Sequence, residues 1–248
     1  MKILATDLDG TLFLDTKLIN GVEYAYNLLL SNDFKIFHTT NNSSQSTEAI
    51  SSKLNNLLNI EIDITTIVTP LTILENYLSN KNYSIYIFGS NQIKDFVSNI
   101  SNTVSNINNS DLVIIGRVDS PSTKKLDEIS EVIQSGVKGI TLNKDLTYPV
   151  SNTEVKPGNG QIAQYVEAKS NQILDSFGKE GDLYSQHFTN KNIKLDYVVG
   201  DRVDTDIVFG NKVGAESILV ESSIDNHMTE NIADKKFKDF PEFVSSII

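Results

Sequence analysis

The sequence predicts an α/β fold, a parallel sheet with a second α/β part inserted into the chain. Three observations carry this. Short apolar runs alternate with stretches of helical period along almost all of the 248 residues. Some runs, such as 3–5 and 112–115, are apolar without alternation, the pattern of a strand covered on both faces. The alternation begins twice, at Ile3 and again at Tyr83. Strands that alternate with helices in this way pair in parallel.

Taken in order, residues 3–5 form the first strand, ending at Asp7 and Asp9. Residues 13–20 read as a loop. After Gly21, the residues Val22, Ala25, Tyr26, Leu29 and Leu30 fall at helical spacing. Residues 35–39 make the next strand, and 40–44 a polar turn. Ser46 or Thr47 caps a helix that runs to Leu58, with Glu48 in its first turn. Residues 66–68 are a short strand closed by Pro70, and 71–78 read as helix. The second alternation has strands at 84–88, 112–116 and 138–142, with helices at 92–100 and 121–134. Pro121 suits the first turn of its helix. Residues 101–110, rich in Ser and Asn, and 143–155 read as loops. Residues 157–160 read as a turn and 161–168 as a helix. Strands follow at 173–177, 195–200 and 217–220, with helices at 183–188 and 207–213, the latter stopped by Gly214. The tail, 235–248, covers an edge. The boundaries predicted are 1–72 with 171–248 for the outer part and 73–170 for the inserted one.

Composition narrows the class. Apolar residues make up 39% and charged residues 21%, ordinary for a soluble globular chain. A net charge of −11 without a long basic run argues against non-specific nucleic-acid binding, which needs a cationic face. The same balance suits an acidic site loaded with a cation. There is no cysteine, which excludes disulfides, thiolate catalysis and cysteine zinc sites. No apolar run reaches the roughly 18 to 20 residues that a membrane span requires. The amino terminus enters the first strand without a charged-then-apolar leader, so a cytoplasmic location is expected.

Four strand ends carry polar clusters: Asp7 with Asp9, Thr40 with Asn41, Lys179, and Asp201 with Asp206. Asp7 and Asp9 start on one side of an extended strand unless the chain turns between them, and Gly10 permits a turn. Two acids held close repel each other and need a cation or a shared proton. In open parallel sheets ligands bind beyond the carboxyl ends of strands, so distant residues can meet in one crevice. Asp7, Asp201 and Asp206 offer the hard oxygen ligands that Mg²⁺ prefers. Thr40, Asn41 and backbone N–H groups at a helix start can hold phosphate oxygens. Lys179 can balance the charge of carboxylates and phosphate. Each cluster alone has a plainer reading: a helix cap at 40–44, a solvated turn lysine at 179, a second cap at 201–206 with Asp204 on the surface. Their shared position after strands favours a site. His38 reads as structural, His187 and His227 lack metal-ligand spacing, and Gly89-Ser90 begins no glycine-rich fingerprint.

The order of these motifs resembles the haloacid dehalogenase (HAD) superfamily, in its NagD-like, para-nitrophenylphosphatase-like branch. Asp7-Leu8-Asp9-Gly10-Thr11 is similar to the first motif, Thr40-Asn41-Asn42-Ser43-Ser44 to the second, and Lys179 to the third. The run from Val199-Gly200-Asp201 to Asp206-Ile207 is similar to the fourth, and 143–149 with Pro157-Gly158 resembles the cap segment. The resemblance covers nearly the whole chain. It implies a three-layer Rossmann-like core with a parallel sheet, plus an inserted α/β cap. It implies Asp7 as the nucleophile that forms an aspartyl-phosphate and Asp9 as general acid, then base. It implies Mg²⁺ held by Asp7, the Asp9 backbone carbonyl and Asp201, with Asp206 in support. Gly10, Thr40, Asn41 and Asn42 become phosphate or substrate contacts, Lys179 the catalytic cation, and Asn143 and Asp145 cap contacts in a specificity loop at 143–150. One position departs from the branch, which usually follows the lysine with proline; here it is Glu180. Lys156-Pro157-Gly158 has the proline, but Lys179 is preferred because it follows a strand read as part of the core.

The expected function is a Mg²⁺-dependent phosphomonoester hydrolase acting on a small phosphorylated metabolite such as a sugar phosphate, phosphoglycolate or nucleotide. The alternatives are a phosphotransferase or mutase using the same aspartyl-phosphate, and a non-catalytic phosphate-binding switch. No nucleic-acid or membrane partner is expected, and a homodimer is compatible with this reading.

Overall fold

The computed structural model describes residues 1–151, 154–221 and 232–248; His227 lies outside them. The chain folds into two compact units. The first comprises Met1–Thr40, Ser46–Thr69 and Tyr184–Ile248, the second Asn41–Gln45 and Pro70–Leu183.

The first unit is built on six parallel strands in the order Lys235–Phe237, Glu216–Val220, Tyr197–Gly200, Lys2–Thr6, Phe34–Thr39, Ile67–Val68. Lys2–Thr6 lies in the middle, paired Thr6 to Val199 on one side and Thr6 to His38 on the other. Its apolar run is explained by that place, since both faces are covered. On one face Leu4, Ile36, Val199 and Ile218 pack against Val22, Ala25 and Leu29 of helix Val22–Ser31, Leu54 of helix Thr47–Leu58, and Phe243 of helix Phe240–Ile247. On the other, Phe37 meets Phe188 edge-on at 5.4 Å, within a cluster that includes Tyr184 and Phe209. The layers are therefore helix, sheet, helix. The tail supplies the edge strand and the last helix, which Asp239 caps by accepting from Glu242 N at 2.9 Å.

The second unit has four parallel strands in the order Asp175–Ser176, Lys138–Thr141, Leu112–Ile115, Ile85–Phe88. Leu112–Ile115 is buried along its whole length. Helices Thr123–Gln134 and Asn159–Ser170 bury Ile129, Ile133, Ile162, Ala163 and Val166 against Val113 and Ile115.

Several local expectations change. Residues 143–155 are not loop throughout: Thr147–Ser151 and Glu154–Pro157 pair as an antiparallel hairpin. Residues 13–20 hold a smaller one, Phe13–Leu14 with Lys17–Leu18, turning at Asp15 with φ 53. Strands this short carry too few residues to show a hydrophobic period. Pro121 stands outside its helix, which begins at Thr123. Ser122 takes the cap by accepting from Lys125 N at 3.3 Å. Residues 157–160 are not a turn; the strand ends at Pro157 and helix Asn159–Ser170 starts directly after Gly158. The strand ahead of Lys179 is only Asp175–Ser176, and it pairs with Ile140 and Thr141 of the second unit, whereas the sequence pattern put it in the outer part. Two residues of strand carry no signal about which sheet they join. Among the described residues, no helix is long and apolar enough to cross a membrane.

His38 is fully enclosed beside the strand end that leads to Thr40. Thr66 Oγ1 donates to Asp63 O at 2.7 Å, so it accepts from His38 Nδ1–H at 3.1 Å. Nε2 is left to accept from the Tyr26 hydroxyl at 2.9 Å. The neutral ring is thus satisfied on both sides, and burial lowers its pKa from 6.5 to about 4. The unfolded chain binds the proton between these two values and the folded chain does not. The stabilisation is therefore complete above pH 6.5 and lost as pH falls toward 4, by roughly 3 kcal/mol. Denaturant unfolding of the wild type and His38→Gln across that range checks this: the variant should have the shallower pH slope, and equal slopes would refute it.

Candidate active site

Asp7 and Asp201 follow neighbouring parallel strands, Lys2–Thr6 and Tyr197–Gly200, at their carboxyl ends. The ladder continues one step past the strand, with Asp7 N donating to Val199 O at 2.8 Å. That register puts the two carboxylates side by side. Asp206 joins them from the turn after Asp201. There the Arg202 carbonyl accepts from Asp206 N at 3.0 Å and from Ile207 N at 3.2 Å, so Val203–Ile207 is a widened π-type turn. Such turns recur at functional sites because they re-aim one side chain within a helix. Asp206 points back and accepts from Arg202 N at 3.1 Å. Asp7, Asp201 and Asp206 are 8%, 2% and 1% exposed, and each offers an oxygen within 4.8 Å of the others. Three buried carboxylates this close form a hard-oxygen donor set suited to a divalent cation.

Asp9 is not in this group. Its side chain is 48% exposed and stands 3.8 Å from Lys53 Nζ, a pair too exposed to contribute much stability. The strand ends at Thr6, so Asp7 and Asp9 do not keep the shared face of an extended strand, and Gly10, with φ 100°, turns the chain just after them. Leu12 N and Phe13 N close back onto Leu8 O at 2.9 and 3.2 Å. Thr40 follows the strand on the other side of Lys2–Thr6, is buried, and donates its backbone N–H to Val68 O at 3.1 Å. Asp7, Thr40 and Asp201 thus occupy the carboxyl ends of three adjacent strands of the first unit.

In the second unit the remaining residues are tied into one hydrogen-bond network. Asn41 Oδ1 accepts from Lys179 N at 2.8 Å. Asn41 Nδ2 donates to Asp145 Oδ1 at 2.8 Å and to Glu180 Oε2 at 3.2 Å. The Asn41 carbonyl accepts from Asn143 Nδ2 at 2.9 Å. Asn159, buried at the start of its helix, donates to Thr141 Oγ1 at 2.7 Å and to Asn143 O at 2.8 Å. Lys179 is 1% exposed, while Lys156 of the rival Lys-Pro-Gly is exposed on its strand. Asn42 closes a local turn instead, accepting from Ser44 N at 2.8 Å and Gln45 N at 3.2 Å.

Other polar residues singled out earlier have structural work. Ser46 caps its helix by accepting from Ala49 N, and Ser90 does so from Ile93 N. Asp204 pairs with Arg202 at the surface at 2.9 Å. His187 lies against Phe188, and burial together with Lys191 lowers its pKa to about 4. Sequence reasoning gave no role to Glu180. The available signal was Ser176 and Glu180 at i and i+4, with Glu180 inside the Gly178–Gly181 turn.

Gly10 also explains why the motif needs glycine. A Cβ there would overlap Asp201 Oδ2, on a backbone angle that side chains rarely adopt. Gly200 has the overlap alone, since a Cβ would meet the Asp206 carboxyl. Gly214 has the backbone angle alone, with φ 68° and open space around it. Gly214→Ala should therefore cost about 1 kcal/mol, for backbone strain. Gly10→Ala should cost at least about 2 kcal/mol more, because it also disturbs a packed buried carboxylate. Chemical denaturation of the two variants gives the comparison, and equal losses would contradict the overlap.

Known proteins match the chain in family and in fold. The family described as haloacid dehalogenase-like hydrolase matches residues 4–101, and one described as HAD-hydrolase-like matches 189–244, together more than half of the chain. An acid sugar phosphatase of Staphylococcus haemolyticus is 28% identical over 251 residues, covering 97% of this chain and 94% of that one. The 4-nitrophenylphosphatase of Thermotoga maritima superposes with a TM-score of 0.83 at 24% identity, over 100% of this chain and 98% of that one. The glycerol phosphate phosphatase of Mycobacterium tuberculosis, in complex with magnesium, superposes with a TM-score of 0.79 at 23% identity, over 97% and 76%. The chain belongs to the haloacid dehalogenase-like hydrolases.

Proposed function

We propose that the chain is a Mg²⁺-dependent phosphatase that hydrolyses the monoester of a small phosphorylated metabolite through an aspartyl-phosphate on Asp7. The observation that carries this reading is the buried cluster of Asp7, Asp201 and Asp206 after two adjacent parallel strands. The donors are all hard oxygens, which fits Mg²⁺; the carboxylates of Asp7 and Asp201 and the Asp9 backbone carbonyl would hold the ion, with Asp206 in support. When bound, Mg²⁺ screens the negative charge of the phosphate against the carboxylates.

A carboxylate oxygen of Asp7 attacks phosphorus, and the bond to the ester oxygen breaks. Asp9 gives its proton to the departing alcohol, then takes one from the water that attacks the aspartyl-phosphate. This releases inorganic phosphate and restores Asp7. The exposure of Asp9 suits that second role, since it must meet both alcohol and water. Thr40, Asn41, Asn42 and the backbone at Gly10 hold phosphate oxygens. Lys179 balances the charge of carboxylate and phosphate. Residues 143–150 carry substrate preference, with Asn143 and Asp145 as contacts. Sugar and polyol phosphates come first as substrates, in line with the names of the relatives. A cytoplasmic location accords with the absence of cysteine.

Two measurements test the reading. Turnover of para-nitrophenyl phosphate should need Mg²⁺ and vanish with chelator. Asp7→Asn should lower kcat by about a thousand-fold or more, roughly 4 kcal/mol of barrier. Asp9→Asn should cost about a hundred- to ten-thousand-fold. Turnover that survives Asp7→Asn would remove the proposed nucleophile, and phosphorylation without repeated turnover would favour a switch. Separately, Mg²⁺ should raise the melting temperature of the wild type, by about 2.7 kcal/mol of stability at a hundred times Kd. Asp201→Asn should lose that rise; if it keeps the whole of it, the ion is held elsewhere.

A further inference from the structure

We propose that Glu180 is a positioning residue that sets the backbone of Lys179 through the side chain of Asn41. The inference rests on the proposed role of Lys179. Glu180 occupies the position where the branch usually has proline, a residue that can accept nothing through its side chain. Here one carboxylate joins three segments of the second unit. Oε1 accepts from Lys144 N at 2.8 Å and from the Ser176 hydroxyl. Oε2 accepts from Asn41 Nδ2 at 3.2 Å. The amide of Asn41 is planar, so holding Nδ2 fixes where Oδ1 points. Oδ1 in turn accepts from Lys179 N at 2.8 Å. Asp145 holds the same Nδ2 at 2.8 Å, and Asn143 holds the Asn41 carbonyl, so the amide is clamped from several sides. The turn that carries Lys179 has its own closure, Gly181 N to Gly178 O at 2.8 Å. The turn itself therefore does not require the contact to Asn41. What that contact adds is the alignment of one backbone N–H and the side chain that follows from it. A displacement of about 1 Å at such a point can change a rate by about a hundred-fold.

Glu180→Gln separates this role from a structural one. The glutamine oxygen can keep the bonds from Lys144 N and Ser176, but its NH₂ then faces the NH₂ of Asn41 and cannot accept from it. In the full chain with Mg²⁺ and para-nitrophenyl phosphate, Glu180→Gln should lower kcat about ten- to a hundred-fold. Its melting temperature and the Mg²⁺ concentration for half activation should stay at the wild-type values. Hydrogen exchange at the Lys179 amide should speed up. The double variant Asn41→Ala with Glu180→Gln should be no slower than Asn41→Ala alone, because both changes break the same link. Wild-type kcat with unchanged Lys179 exchange in Glu180→Gln would overturn the proposal, as would losses that multiply in the double variant. If the wild type hydrolyses no phosphomonoester, the phosphatase reading fails by itself. Exchange at the Lys179 amide then decides the positioning role without reference to activity.

Discussion

Three carboxylates packed within 4.8 Å of one another are the constraint on which the first unit depends. Such a cluster is costly in a buried place, because like charges there are poorly screened. The fold meets that cost with geometry at every level. Parallel neighbours deliver Asp7 and Asp201 to the same end of the sheet. A widened turn brings Asp206 back beside them. Glycines at 10 and 200 leave room that any Cβ would fill. A divalent cation is the natural counterpart of such a donor set, which is why the arrangement reads as a metal-assisted site rather than as part of the core.

The second unit solves a different problem. Its polar residues are amides, the carboxylates of Asp145 and Glu180, and one buried lysine, and they are held by hydrogen bonds. Asn41 is the hub, with partners at Asn143, Asp145, Lys179 and Glu180. Buried polar networks of this kind are expensive when incomplete and rigid when satisfied. The network starts at strand ends whose preceding residues, such as Ile115 and Ile140, are fully buried. Apolar strands thus fix the frame, and amide side chains fix the geometry at its rim.

His38 is instructive because it stands on a strand that leads into the site and takes no part in the proposed chemistry. Its two nitrogens are each matched to one partner, Tyr26 and Thr66, and burial keeps it neutral. A lone histidine beside a motif is thereby accounted for by packing and hydrogen bonding alone.

The amino-acid sequence by itself determined the α/β class, the strands and helices with clear period, and the motif residues at strand ends. These are local properties: hydrophobic period, the Gly214 stop and the Asp-x-Asp-Gly-Thr spacing act over a few residues. Only the tertiary structure decided that Asp7, Asp201 and Asp206 meet in a buried cluster while the Asp9 side chain stands exposed, because burial depends on how distant segments pack and on how the π-type turn aims Asp206. It alone decided that the strand before Lys179 joins the second unit's sheet, since two residues carry no address. It alone decided that residues 147–157 contain a hairpin, because strands of four or five residues are too short to show a clear period. Glu180 falls in the same class. In sequence it is a charged residue in a turn, and its meaning comes from Asn41, which lies 139 positions away and is brought to it by the fold.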